Sequence, residues 1–452
     1  MELSLKRFQK GSSIINALIW FSIMTASCDI VLAFEVAGLT VRVSQLVSMA
    51  VMFFFLLRII RFGNVKILSA YYNLLIVIVF NTICILRSKT IFNAVGYDLW
   101  LLFDCVQVLA FTYFLSKQET IYTIIRKYIV CFDVLAVVGF IQFALQFVGI
   151  NFYVTQYNDL HRSNGFSFEP SFYATYMIMG SIICLYLLER RNYMCMKRRN
   201  LIFSTLLNVG AVVISTSRMG LLVLLIYIVY RGIMCLRIYI HKRASVIRIL
   251  FTLMPILVGI GLILFIIAVE FRVPFVMHYL SGLGIGGTAS HSTDARSAGF
   301  KDTWTLFLDS PFLGCSLGGI DAGIIEYKSR NYTVANNGGA SMCVSLEALA
   351  AYGIFGAFFF FKYLWDLTVG GYLKAKKRPG EKREREPVYA MLIALFFEFM
   401  ILQLNQNVLR PPFWVHIALV STCLQIYLRD SHKNFITGVN PGDYYVKAQD
   451  NS

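Results

Sequence analysis

"RNLIFSTLLNVGAVVISTSRMGLLVLLIYIVYRGIMCL", residues 199–236, decides how the chain is threaded. Read as one helix it would run more than about 50 Å at 1.5 Å per residue, well beyond the roughly 30 Å of a hydrocarbon layer. It would also set the basic cluster Lys197, Arg198, Arg199 and the cluster Arg237, Lys242, Arg243 on opposite sides of a bilayer. A break at "STSRMG", 215–220, removes both conflicts. The halves become two spans, both clusters fall on one side, and Ser215–Arg218 lies at the other surface.

The same logic extends along the chain. Of its 452 residues 58% are hydrophobic and 15% charged, against roughly a quarter charged in soluble domains. Apolar runs predict spans near 12–34, 41–60, 66–86, 92–115, 121–148, 169–189, 199–215, 218–236, 247–270, 341–370, 387–405 and 412–428. That is an all-α polytopic membrane protein of about twelve transmembrane helices, one domain over 1–428. Lys and Arg together number 41 against 25 acids. The excess sits in alternate short connections, so it signals topology and not nucleic acid, and it places both termini in the cytoplasm. Lys6, Arg7 and Lys10 precede an uncleaved first span. The polar tail 429–452 is expected to be cytoplasmic and disordered. No internal repeat or domain linker is evident.

Two segments lie outside the spans, 149–168 and the long external loop 271–340. In the second, "ARSAGFKDTWTLFLDSPFLG", 295–314, repeats Phe300, Trp304 and Phe307/Leu308 at helical spacing. This predicts an amphipathic helix on the outer interface, stopped by "DSPFLG". Most of the 10 cysteines lie in apolar runs; Cys315 and Cys343 are the two near the external loop, where a disulfide is conceivable.

Cations on the outer side run against the charge bias. They are Arg162, Arg218, Arg296, Lys301, Arg330 and Arg410, with His161 and His291 beside them; Arg87 and Lys89 also map there without a motif. Arg218 opens a membrane helix, where the positive dipole end disfavours a cation. A bound anion, held by the guanidinium, Ser217 and helix N–H groups, resolves the conflict; snorkelling to lipid phosphate is the plainer alternative. Glu169 precedes Pro170 at the start of another span. The pair suits a helix N-terminus without any function, but a carboxylate at a membrane boundary near arginines also suits acid–base work or a sugar hydroxyl. No zinc spacing, P-loop or nucleophile elbow occurs, and "GLGIGG", 282–287, follows no strand, so neither metal nor cofactor is expected.

"RSNGFSFEPSFYATY", "STSRMGLLVLL", "ARSAGFKDTWTLFLDSPFLGCSLGG" and "SLEALAAYGIFGAFFFF" together resemble the O-antigen polymerase and O-antigen ligase superfamily over about 160–428. The "EPS" segment resembles the polymerases (the Wzy type). Ligases typically carry a histidine in the stretch that here reads "NNGGASMCVSLEALAAYGIFG", where Asn336 and Asn337 are the polar residues available. The resemblance implies a fold similar to the GT-C-like membrane glycosyltransferases, in the bacterial cytoplasmic membrane. It implies a donor chain on undecaprenyl pyrophosphate and a second lipid-linked oligosaccharide repeat unit as acceptor. A chain-length regulator and a flippase of the same pathway would be partners. In that chemistry Arg218 and Arg296 would stabilise the leaving pyrophosphate, and Glu169 would orient or deprotonate the acceptor. Arg162, Ser217, Arg330, Asn336, Asn337, Arg410 and His291 would bind pyrophosphate or sugar. A ligase, a glycolipid transporter and a non-catalytic scaffold are the competing readings.

Overall fold

A computed structural model describes residues 2–31, 33–36, 39–62, 68–155, 161–240, 276–277, 290–330, 343–378, 382–405 and 408–437. The helices are α1 (Glu2–Thr25), α2 (Val43–Phe62), α3 (Tyr71–Ile85), α4 (Ile91–Gln118), α5 (Ile121–Gln146), α6 (Pro170–Glu189), α7 (Arg198–Ile214) and α8 (Arg218–Ile240). After them come α9 (Ser290–Asp309), α10 (Ile320–Arg330), α11 (Val344–Lys377), α12 (Lys382–Asn405) and α13 (Pro411–Thr437). Seven helices among the described residues are long and apolar enough to cross a membrane, and Ser13–Thr25 and Tyr71–Ile85 are shorter apolar helices. The expected span 247–270 lies outside the described residues.

Helix α6 is the axis of the bundle. It is apolar all round, and packs against α7, α12, α8 and α5. Such a helix has no face for water or lipid. Helix α13 is held the same way against α4 and α12. The outer helices instead turn residues such as Ile60, Phe92 and Phe203 outward, exposed at 82%, 85% and 62%, as a hydrocarbon solvent requires.

The two ends of the bundle differ. At the basic end Lys127 pairs with Glu119, which also accepts from Asn16 Nδ2 at 2.6 Å and Trp20 Nε1 at 3.1 Å. Arg231 pairs with Glu189, and Asn192 Nδ2 donates to Arg383 O at 2.7 Å. The break between α7 and α8 falls at 215–217 as expected, so α8 runs from the opposite end back to Glu189.

Four expectations need correction. First, no helix spans 12–34: α1 stops at Thr25, and Ala33–Val36 and Leu39–Arg42 form an antiparallel hairpin with Ala33 opposite Arg42. The N–H groups of Asp29 and Ile30 turn to Phe166 O at 2.8 and 3.0 Å instead of continuing the helix. Second, α13 continues through 429–437, so the tail departs later than expected; 438–452 lie outside the described residues.

Third, α11 is broken at Gly353, whose backbone has φ 66° and ψ −178°. The break is clasped by the loop after α9. Cys315 N and Ser316 N donate to the freed carbonyls of Ala350 and Ala351 at 3.0 and 2.9 Å, and Ile354 N donates to Pro311 O at 2.8 Å. Three of the backbone groups near the break thus find partners in this loop, as burial demands. A Cβ at Gly353 would strike the Phe312 carbonyl. Gly353→Ala should therefore cost at least about 2 kcal/mol, from the positive φ and the clash together. Thermal unfolding in detergent checks this; an unchanged midpoint would mean that the clasp does not form.

Fourth, α9 is turned from the predicted stripe. Thr303, Leu306 and Phe307 are buried while Trp304 and Leu308 are 45% and 55% exposed. The helix packs between α10 and α11, where Leu306 lies over Gly323, and so does not lie free on an interface. Arg87 and Lys89, which had no motif, latch this region: Arg87 Nη1 donates to Leu313 O at 3.1 Å and Lys89 pairs with Glu326 at 3.5 Å. Cys315 and Cys343 are not joined in a disulfide. Burial pushes the Cys315 pKa up to about 12, which keeps it protonated and unreactive at neutral pH.

Candidate functional site

The loops opposite the basic end converge. Segment 161–169 descends beside the last two turns of α5: Arg162 N and O bond the Gln146 side chain at 3.0 and 2.8 Å, and Ser163 Oγ donates to Gln142 Oε1 at 3.2 Å. Below them the Tyr173 hydroxyl reaches Leu135 O at 3.1 Å across Gly139, where a side chain would collide with it. The start of α6 therefore lies alongside the last turns of α5 and not beyond them. A polar floor forms inside the helix ends.

Glu169 is on that floor. Its backbone caps α6, accepting from Phe172 N and Tyr173 N at 3.0 and 3.1 Å. Its carboxylate makes no cap bond; Oε2 accepts from Ser171 Oγ at 2.9 Å. Proline and backbone explain the helix start, so the carboxylate is left over for another task.

Arg218 begins α8, with Ser217 Oγ accepting from Gly220 N at 3.3 Å and Ser215 Oγ accepting from Ser217 N at 3.2 Å. Ser217 is thus engaged as a helix cap. Thr216 between them has φ 51°, and its buried Oγ1 has no hydrogen-bond partner among the described residues. A strained β-branched residue with an orphaned hydroxyl, one step from Arg218, marks a place where stability has been given up.

Arg296, near the start of α9, feels both neighbours. Its pKa is lowered chiefly by burial, with the Glu169 carboxylate opposing and the Arg218 guanidinium reinforcing the shift. Arg410, just before α13, stacks its guanidinium 3.8 Å over the Phe172 ring and lies 3.5 Å from Asp29 Oδ2. Burial lowers its pKa too, and Asp29, Glu169 and Glu347 oppose. Four residues from four separate segments, Glu169, Arg218, Arg296 and Arg410, thus share one electrostatic neighbourhood. Arg162 is fixed through its backbone to α5. Arg330 ends α10 and His291 lies in α9, but their side chains, like Asn336 and Asn337, are outside the described residues.

Sequence reasoning missed the groups that hold this neighbourhood together. Asp29 is 5% exposed; Oδ1 accepts from Arg42 Nε at 2.6 Å and Oδ2 accepts from Phe168 N at 3.4 Å. It joins the hairpin, the 161–169 loop and Arg410. An acid inside an apolar run was the available signal. Glu347, 6% exposed in the first turn of α11, accepts from Val408 N at 3.0 Å and so anchors the approach to Arg410. Among the described residues no three His, Cys, Asp or Glu side chains gather as metal ligands.

No curated protein matches the chain. Residues 203–361, which carry Arg218, Arg296 and the broken helix at Gly353, match the family described as O-antigen ligase, and this all-α polytopic membrane protein is consistent with the O-antigen polymerase and ligase superfamily.

Proposed function

We propose that the protein is a glycosyltransferase that polymerises lipid-linked oligosaccharide repeat units, with undecaprenyl pyrophosphate as carrier of the donor chain. The observation that carries this reading is the cluster of Glu169, Arg218, Arg296 and Arg410 over a recessed polar floor. The acceptor hydroxyl oxygen bonds to the anomeric carbon of the donor. The bond from that carbon to the pyrophosphate oxygen breaks, and the pyrophosphate leaves with the electron pair. Arg218 and Arg296 stabilise the charge that develops on the pyrophosphate; donors fixed before the reaction are the most effective stabilisers. Glu169, held by Ser171, takes the proton of the acceptor. Product would be a chain longer by one repeat, at the outer face of the bacterial cytoplasmic membrane, with a length regulator and a flippase as pathway partners.

A second reading is supported by the description of the matching family: transfer of a finished glycan to a lipid core. Both use the same donor chemistry and differ in acceptor. Complementation of a polymerase-deficient host with a matching repeat structure, read as a glycan ladder on a gel, separates them. Wild type should restore the ladder, and Glu169→Gln should lose about 10²-fold or more of chain extension. A ladder from both would leave polymerisation standing and reduce Glu169 to a helix start. Absence of a ladder from membrane-inserted wild type would turn the assignment to the ligase reading.

A further inference from the structure

At the basic end, away from the site just described, a cavity of about 940 Å³ opens between α1, α5 and the 193–200 connection. That is at the upper end of ligand-pocket volumes, about 300–1,000 Å³. Its two halves differ in chemistry. The mouth carries Arg126, Lys127 and Lys197; deeper along α1 and α5 the lining is Phe21, Met24 and Val130. Lining residues on α1 run from Ser13 to Met24, a distance of about 16 Å at 1.5 Å per residue. Phe21 and Val130 are 40% and 47% exposed, so the apolar half is open to the lipid side.

The charges do not cancel. Lys127 is paired with Glu119 and lies 5.3 Å from the centre of the Trp20 ring. Arg126 and Lys197 are exposed and make no ion pair among the described residues. Two uncompensated cations thus sit at headgroup level above an apolar cleft that continues into the hydrocarbon. We propose that this groove binds one anionic phospholipid of the adjacent leaflet, headgroup at Arg126 and Lys197, acyl chain along Phe21, Met24 and Val130. Basic pockets between transmembrane helices recognise anionic headgroups on these grounds, at roughly a factor of five per cation near the surface. The inference does not depend on which glycan reaction the other end performs.

The test is native mass spectrometry of the full-length protein extracted from nanodiscs of equal phosphatidylglycerol and phosphatidylcholine. Wild type should retain one phosphatidylglycerol in preference to phosphatidylcholine. Arg126→Gln combined with Lys197→Gln should lower that retention about 30-fold. Val130→Trp, which fills the chain half without touching charge, should lower it as well. Lys376→Gln, at the same end but away from the groove, should leave it unchanged. Unfolding midpoints within error of wild type establish that the variants are folded; one that is not is replaced by Met24→Trp, which fills the chain half from α1 and should likewise lower retention. Equal retention of the two lipids by wild type overturns the proposal. So does loss in the Lys376 control equal to that in the double variant, or undiminished retention when the chain half is filled.

Discussion

Asp29→Ala should lower the stability of the detergent-solubilised protein by about 3 kcal/mol, and Asp29→Asn by less. The alanine leaves two guanidiniums, Arg42 and Arg410, without their shared carboxylate, and those side chains are only 14% and 17% exposed. Removing one partner of a buried pair costs about 3–5 kcal/mol because the other charge stays desolvated; the residual exposure of the arginines puts the expectation at the lower end. Asparagine keeps an acceptor for Phe168 N. Thermal unfolding followed by tryptophan fluorescence gives the value. Arg410→Ala in the Asp29→Ala background should then recover part of the loss, since the stranded charge is gone. A shift below about 0.5 kcal/mol would mean that Asp29 behaves as a surface acid, and that the hairpin does not bear on the floor.

Arg218→Ala should reduce chain extension by at least about 10²-fold with little change in stability. Removal of the guanidinium leaves the Ser217 cap and the Ser215 turn intact, so a collapse of the fold is not expected. It also relieves repulsion on Arg296. Lysine should rescue poorly, because a point charge lacks the planar fork that grips two phosphate oxygens. Ladder formation in the complemented host and consumption of lipid-linked donor in membranes are the two readouts. Wild-type ladders from folded Arg218→Ala would remove the residue from the proposed reaction. A change in ladder with unchanged donor consumption would move it from leaving-group stabilisation to acceptor binding.

The parts legible in the sequence are those where a charge meets an apolar edge. The break at 215–217 follows from where the basic clusters stand; Arg218, Arg296 and Arg410 stand out because each departs from the charge bias, and Glu169 because it is a carboxylate at the start of a span. The hidden parts depend on distant backbone. Asp29 and Arg42 are interrupted by a hairpin whose N-terminal turn is closed by Phe166, more than a hundred residues away. The Gly353 break is tolerated only because 311–316 supplies its hydrogen bonds, which no local pattern announces. The α9 stripe was misread because two apolar stripes share Phe307, and packing on α10 and α11 chose the one with Thr303 and Leu306.

The descent of 161–169 along α5 bears on how an enzyme of the proposed kind would measure its product. A floor set inside the helix ends meets only the residues of a glycan nearest the bond being made. Everything further along a growing strand stands beyond reach of the side chains on that floor. Such a catalyst has no ruler: a strand of two repeats and a strand of twenty present it with the same end. A narrow distribution of product sizes, wherever this protein yields one, must then be imposed by timing or by a separate gauge, and mutations on the floor should change how fast strands grow without moving the length at which they stop.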